Sequence, residues 1–183
     1  MMSKSKIFQN GIYHDGKRGI RRVISLNNSE DIHAAPRVQY QILSAKNEKS
    51  FRYALNQSVP VVGTTKICEL ASFVASAEVI LSEGECTDLL LNFKAQKVKL
   101  SPGEHMMMQM IADEYVSSTE PPVAGTAISF SFNDIRQARG LEKKGMVTVD
   151  TECKQAMSGE EIILTNLGAI RLSLLIQGCK HGQ

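Results

Sequence analysis

The chain has 183 residues, enough for one large domain or two small ones. Its 43% hydrophobic content is that of a globular protein and excludes a disordered chain. A net charge of +2 is too small to announce a nucleic-acid partner by itself, and no apolar run reaches the ~18 residues that a membrane-spanning helix needs.

The charge is unevenly divided. Residues 1–85 carry 11 Lys and Arg against 8 Asp and Glu, a balance of +3; residues 86–183 carry 10 against 11, a balance of −1. Any phosphate-binding surface in the second half therefore has to be a local patch. The fold class expected from the pattern of elements is α+β. A small β-rich module with a covering helix occupies residues 1–84, and a helix-rich domain occupies 85–183.

In chain order, residues 1–10 are polar and basic and read as a frayed arm. No apolar segment follows Met1-Met2-Ser3-Lys4-Ser5-Lys6, so the expectation is a protein without a signal peptide, cytoplasmic, with reduced thiols. Asp15-Gly16 is a two-residue hairpin signal, because both positions tolerate positive φ. The strands beside it are expected at Gly11–His14 and Ile20–Leu26. Lys17, Arg18, Arg21 and Arg22 surround this hairpin and read either as a phosphate grip or as solvated turn charges. Arg37–Leu43 alternates apolar Val38, Tyr40 and Ile42 with Gln39 and Gln41, the period of a half-buried strand. Val59-Pro60-Val61-Val62 reads as a short edge strand. From Thr65 to Leu81 the residues Ile67, Leu70, Ala71, Val74, Ala77 and Leu81 fall on one helical stripe, which predicts the covering helix. Phe51, Tyr53 and Phe73 read as packing residues.

Ser82-Glu83-Gly84-Glu85 breaks that pattern and marks the expected domain boundary. Thr87–Phe93 reads as a short helix. The alternating Lys94, Lys97 and Lys99 suggest a short strand over Ala95–Leu100. Ser101-Pro102-Gly103-Glu104 is a capping box: a serine cap, proline in the first turn, and a glutamate that reaches back. Met107, Met110, Ile111 and Tyr115 follow at helical spacing. Thr119–Thr126 is rich in helix breakers, so the next helix has to be short, over Ala124–Phe130.

Ser131 with Asp134 can then cap a helix over about residues 132–144. Its apolar face is Ile135, Ala138 and Leu141. Its opposite face carries Asn133, Arg136, Gln137, Gly140, Lys143 and Lys144, side chains suited to phosphates and base edges. Gly145 ends this helix. Val147–Val149 and Glu161–Leu164 read as strands, and Thr165 caps a last helix through Leu167, Ile170, Leu174 and Leu175.

The order helix, glycine, strand, loop, strand, helix is that of a winged helix-turn-helix. Leu141-Glu142-Lys143-Lys144-Gly145-Met146-Val147 and Ile163-Leu164-Thr165-Asn166-Leu167-Gly168 resemble the same two stretches of MarR-type winged-helix regulators. The resemblance covers about residues 100–176. It implies a DNA-binding fold without indicating a target.

On that basis the chain is expected to regulate transcription by binding double-stranded DNA. Helix 132–144 would enter the major groove, with Asn133, Arg136 and Gln137 nearest the base edges. Arg139, Lys143 and Lys144 would hold phosphates, and Lys154 on the wing would reach the adjacent backbone. A homodimer is the corresponding expectation for assembly. Two alternatives stand beside it. The winged domain can serve as a protein-docking module without DNA binding, or the basic N-terminal module can bind nucleic acid while the winged domain dimerises. Phosphate loops, dinucleotide fingerprints and serine elbows are absent from the sequence. His14, His33, His105 and His181 are scattered, as are Cys68, Cys86, Cys153 and Cys179. The reading is therefore of a protein that is not an enzyme, with no cofactor, no metal and no membrane partner.

Overall fold

The computed structural model describes residue 3 and residues 6–27, 35–52, 56–118, 120–150 and 160–181. It is a mixed α+β protein whose sheets are all antiparallel. Its contacts divide into two compact units, Met1–Leu90 and Leu91–Gln183.

The first unit is built on a five-stranded sheet. Strands β1 (Ile12–His14) and β2 (Ile20–Asn27) flank the Asp15-Gly16 turn signal, and β3 (Arg37–Ser44) forms where apolar and polar residues alternate. The connection at Asp15-Gly16 spans residues 15–19, longer than the two-residue turn expected, because His14 pairs with Ile20. Asp15 Oδ1 closes it by accepting the N–H groups of Lys17 and Gly19, at 2.9 and 2.8 Å. Strands β4 (Lys49–Arg52) and β5 (Gln57–Pro60) form a separate two-stranded ribbon, with Pro60 opposite Lys49 at its end.

The expected helix Thr65–Leu81 is not one helix. Its residues form β6 (Thr65–Glu69), the six-residue α1 (Leu70–Ala75) and β7 (Val79–Leu81). The sheet order is β6-β3-β2-β1-β7, so both pieces of the supposed helix become the two edges of the sheet. Tertiary pairing has overridden the helical period here: β6 pairs with β3 from Gln41↔Thr65 to Arg37↔Glu69, and β7 pairs with β1. The β-branched Thr65, Ile67, Val79 and Ile80 suit that outcome. Ile67, counted on the buried stripe of the helix, is 61% exposed on the edge strand. Among the described residues the helix that covers the sheet is α1, which buries Phe73 and Val74 with Tyr13, Val23 and Val38, and Ile7 and Ala77 join the same cluster. Tyr13 and Phe73 meet edge to face with centroids 5.5 Å apart, and the Tyr13 hydroxyl donates to the Lys6 carbonyl.

Ser82–Glu85 starts a helix rather than breaking one. Helix α2 (Glu83–Lys97) opens with Ser82 and Glu85 in reciprocal bonds: Ser82 N–H donates to Glu85 Oε2, and Glu85 N–H donates to Ser82 Oγ. It runs through the stretch expected as a lysine-faced strand, with Lys94 and Lys97 in its last turn.

The second unit has one hydrophobic core, in which α3 (Pro102–Tyr115) contributes Met107, Met108, Ile111 and Ala112. Met110, expected on the inner face, is 60% exposed, and Met108 takes the interior position. The expected helix Ala124–Phe130 is replaced by strand β8 (Ala127–Phe130), which pairs with β10 (Glu160–Leu164). A 3-10 turn (Phe132–Asp134) leads into α4 (Ile135–Lys143). Ser131 Oγ accepts the Asn133 N–H, while Asp134 stands at the cap of α4 without a side-chain capping bond. Gly145, at φ +71°, turns the chain out of α4 into β9 (Val147–Asp150). The sheet order is β8-β10-β9. The final helix α5 (Asn166–His181) is capped by Thr165, whose Oγ1 accepts the Gly168 N–H and also lies 2.7 Å from the Gly145 carbonyl oxygen, to which it donates. One hydroxyl thereby ties the end of α4 to the start of α5.

Candidate nucleic-acid interface

Helix α4 divides its residues by exposure. Ala138 and Leu141 are fully buried, while Arg136, Arg139 and Lys143 are exposed on the other side. Those three cations, with Gln137 and Gly140, line one wall of a cleft of about 530 Å³. The opposite wall is the start of α3: Ser101, Gly103 and Glu104. The capping box therefore does more than begin a helix. It supplies half of the site.

The two walls meet closely because each has a glycine at the contact. The Gln137 side chain lies over Gly103, with its Cγ 3.2 Å from the position a β-carbon would take there. A β-carbon at Gly140 would fall well inside van der Waals contact distance of Glu104 Oε1. Glu104, 7% exposed, is held from three directions. Its Oε2 accepts the Ser101 N–H at 2.6 Å and a hydrogen bond from Lys144 Nζ, and its own N–H donates to Ser101 Oγ. Burial pushes the Glu104 carboxyl upward in pKa, but the bonds from Lys144 and Ser101 outweigh it and hold the group below the ordinary carboxylate value. It remains a charged acid on the cleft wall, balanced by Lys144.

Glu142 forms a second strut. Its Oε1 accepts the N–H of Val149 on edge strand β9 at 2.9 Å, and its Oε2 pairs with Arg139 at 2.8 Å. These bonds, that from Val149 foremost, lower the pKa of Glu142.

The residues expected at a DNA surface thus divide into groups. Arg136 and Lys143 are exposed and have no ion-pair partner among the described residues. Arg139 is on the same wall but paired with Glu142. Gln137 is turned inward, its Oε1 closed off from solvent and without a partner. Lys144 is bound to Glu104 and does not face outward as a free cation. Asn133 is exposed in the 3-10 turn ahead of α4. Lys154 lies outside the described residues. Ser101, Gly103 and Glu104 were not expected at the site. Their motif is legible in the sequence, but their position opposite α4 is not.

Among the described residues no three His, Cys, Asp or Glu side chains are grouped to hold a metal ion, and no helix is long and apolar enough to cross a membrane. No family model, no curated protein and no solved structure matches the chain.

Proposed function

We propose that the protein binds double-stranded DNA as a transcriptional regulator through its second unit, with α4 as the contacting helix in a variant winged helix-turn-helix. The observation that carries this reading is the cluster of Arg136, Arg139 and Lys143 on the one side of α4 that the core leaves uncovered. Three cations on a short helix supply the phosphate contacts that give DNA affinity its electrostatic term. The order of α3, β8, α4, β9, β10 and α5, and the β8-β10-β9 sheet, support the winged-helix comparison. The departure from it is β8, which stands where a second helix was expected. A homodimer belongs to this reading, as the commonest symmetric assembly of a soluble protein.

The test is titration of the purified protein with random-sequence duplex DNA from low to physiological salt. The expected result is binding that weakens steeply as salt rises. No binding at low salt would overturn the proposal.

A second reading, a protein-docking module, is favoured by one specific feature. Met106 and Met110 stand one turn apart on α3 and are 65% and 60% exposed. Methionine pairs of this kind adapt to apolar partners. That reading requires no DNA affinity at any salt concentration, so the same titration separates the two.

A further inference from the structure

We propose that the α4 cleft grips duplex DNA through its phosphates alone, so that the protein binds DNA without reading its sequence. This rests on the DNA-binding reading above and narrows it.

Reading bases in the major groove requires side chains that protrude from a helix with their hydrogen-bonding ends free. Two side chains of the cleft have that chemistry: Gln137, whose amide can pair with adenine, and Arg136, whose guanidinium can pair with guanine. Asn133, exposed in the 3-10 turn, is not among the residues that line the cleft. Gln137 is instead packed over Gly103 with its Oε1 shut off from solvent. Lys144 is taken up by Glu104, and Arg139 shares its guanidinium with Glu142. The two cations of α4 that have no ion-pair partner among the described residues, Arg136 and Lys143, stand on the wall of a concavity.

A concave cationic wall fits a convex anionic ligand. The sugar-phosphate backbone is convex and carries evenly spaced charges, whereas base edges lie at the bottom of a groove that only a protruding side chain reaches. Guanidinium and ammonium groups are the natural partners of phosphate oxygens. Glu104 and Lys144 satisfy each other at the inner end of the cleft, so the phosphates are held by Arg136 and Lys143, with Arg139 beside them on the same wall.

The test uses the full chain and labelled duplexes of equal length and unrelated sequence, followed by fluorescence anisotropy across a salt series. One of these duplexes is recovered by selection from a random pool. The expected affinities agree within about threefold, against the ~10³-fold or greater preference that base readout gives. Arg136→Gln with Lys143→Gln should weaken binding to every duplex by about tenfold or more and reduce the salt slope by about two. Arg136→Lys, which keeps a phosphate contact but cannot make a bidentate base contact, should bind within about threefold of the parent chain. A selected duplex that binds ~10³-fold tighter than the rest overturns this inference and leaves the DNA-binding reading standing. Unchanged binding by the double variant, or loss of binding in Arg136→Lys, overturns it as well. Failure of every duplex to bind at low salt overturns both.

Discussion

Lys144, just past the end of α4, donates to the carboxylate of Glu104 in the first turn of α3, 40 positions earlier in the chain. A lysine that the sequence offers as a phosphate contact is in the structure a strut between two helices. The pair also removes Lys144 from the cations open to a ligand on α4. Its consequences are measurable.

The first is a dependence of stability on pH. Folding lowers the pKa of Glu104 below its ordinary value of 4.5. The stability this contributes is present above 4.5 and is lost as the pH falls through the lower folded value. Urea denaturation of the parent chain should therefore show falling stability from about pH 5 downward. Glu104→Gln should flatten that fall and cost about 1–3 kcal/mol at neutral pH, because Lys144 then lacks its counter-charge. A variant as stable as the parent at pH 7 would show that the pair contributes nothing.

Gly140→Ala separates helix propensity from packing. In an exposed helix interior the change gains up to about 1 kcal/mol. Here the new β-carbon would meet Glu104 Oε1, and Glu104 cannot swing away without giving up Ser101 and Lys144. The expected result is a net loss of about 1–3 kcal/mol. Thermal unfolding decides the sign, and a raised melting temperature would refute the tight α3–α4 contact.

Thr165→Val should cost about 1–2 kcal/mol, since it removes the cap of α5 and the bond to the Gly145 carbonyl at one stroke. Chemical denaturation measures it. A change of less than about 0.5 kcal/mol, ordinary for a surface site, would mean that water replaces both bonds.

Ile67→Lys and Phe73→Ala test the edge strand β6 and the covering helix α1 within what reads as one helix. Ile67 is exposed on β6, so its replacement should change stability by no more than about 0.5 kcal/mol. Phe73 is fully buried against Tyr13 and Tyr40, and its truncation should cost about 3–5 kcal/mol. A loss of several kcal/mol for Ile67→Lys would restore a helix that buries Ile67 over that region.

Legibility along the chain follows how local the deciding interaction is. The period-2 strand at Arg37–Leu43, the capping box at Ser101–Glu104 and the glycine stop at Gly145 all appear in the fold, because each is decided within a few residues. The cationic side of α4 was legible for the same reason: Arg136 and Lys143 share a face through helical geometry alone, and Arg139 joins them on the cleft wall. Stretches whose state depends on a distant partner misled. Thr65–Leu81 has the spacing of a helix, but β3 and β1 offered ladder hydrogen bonds to its ends and drew them into strands. Ala127–Phe130 became a strand because β10 lay beside it, although nothing in its own composition names that partner. The cleft belongs wholly to this second category. Sequence determined that α4 would be amphipathic and basic. The tertiary structure alone decided that Glu104 would neutralise Lys144, that Gln137 would fold inward over Gly103, and that the remaining cations would line a concavity, because the contacts responsible join residues about 35–40 positions apart that only chain folding brings together.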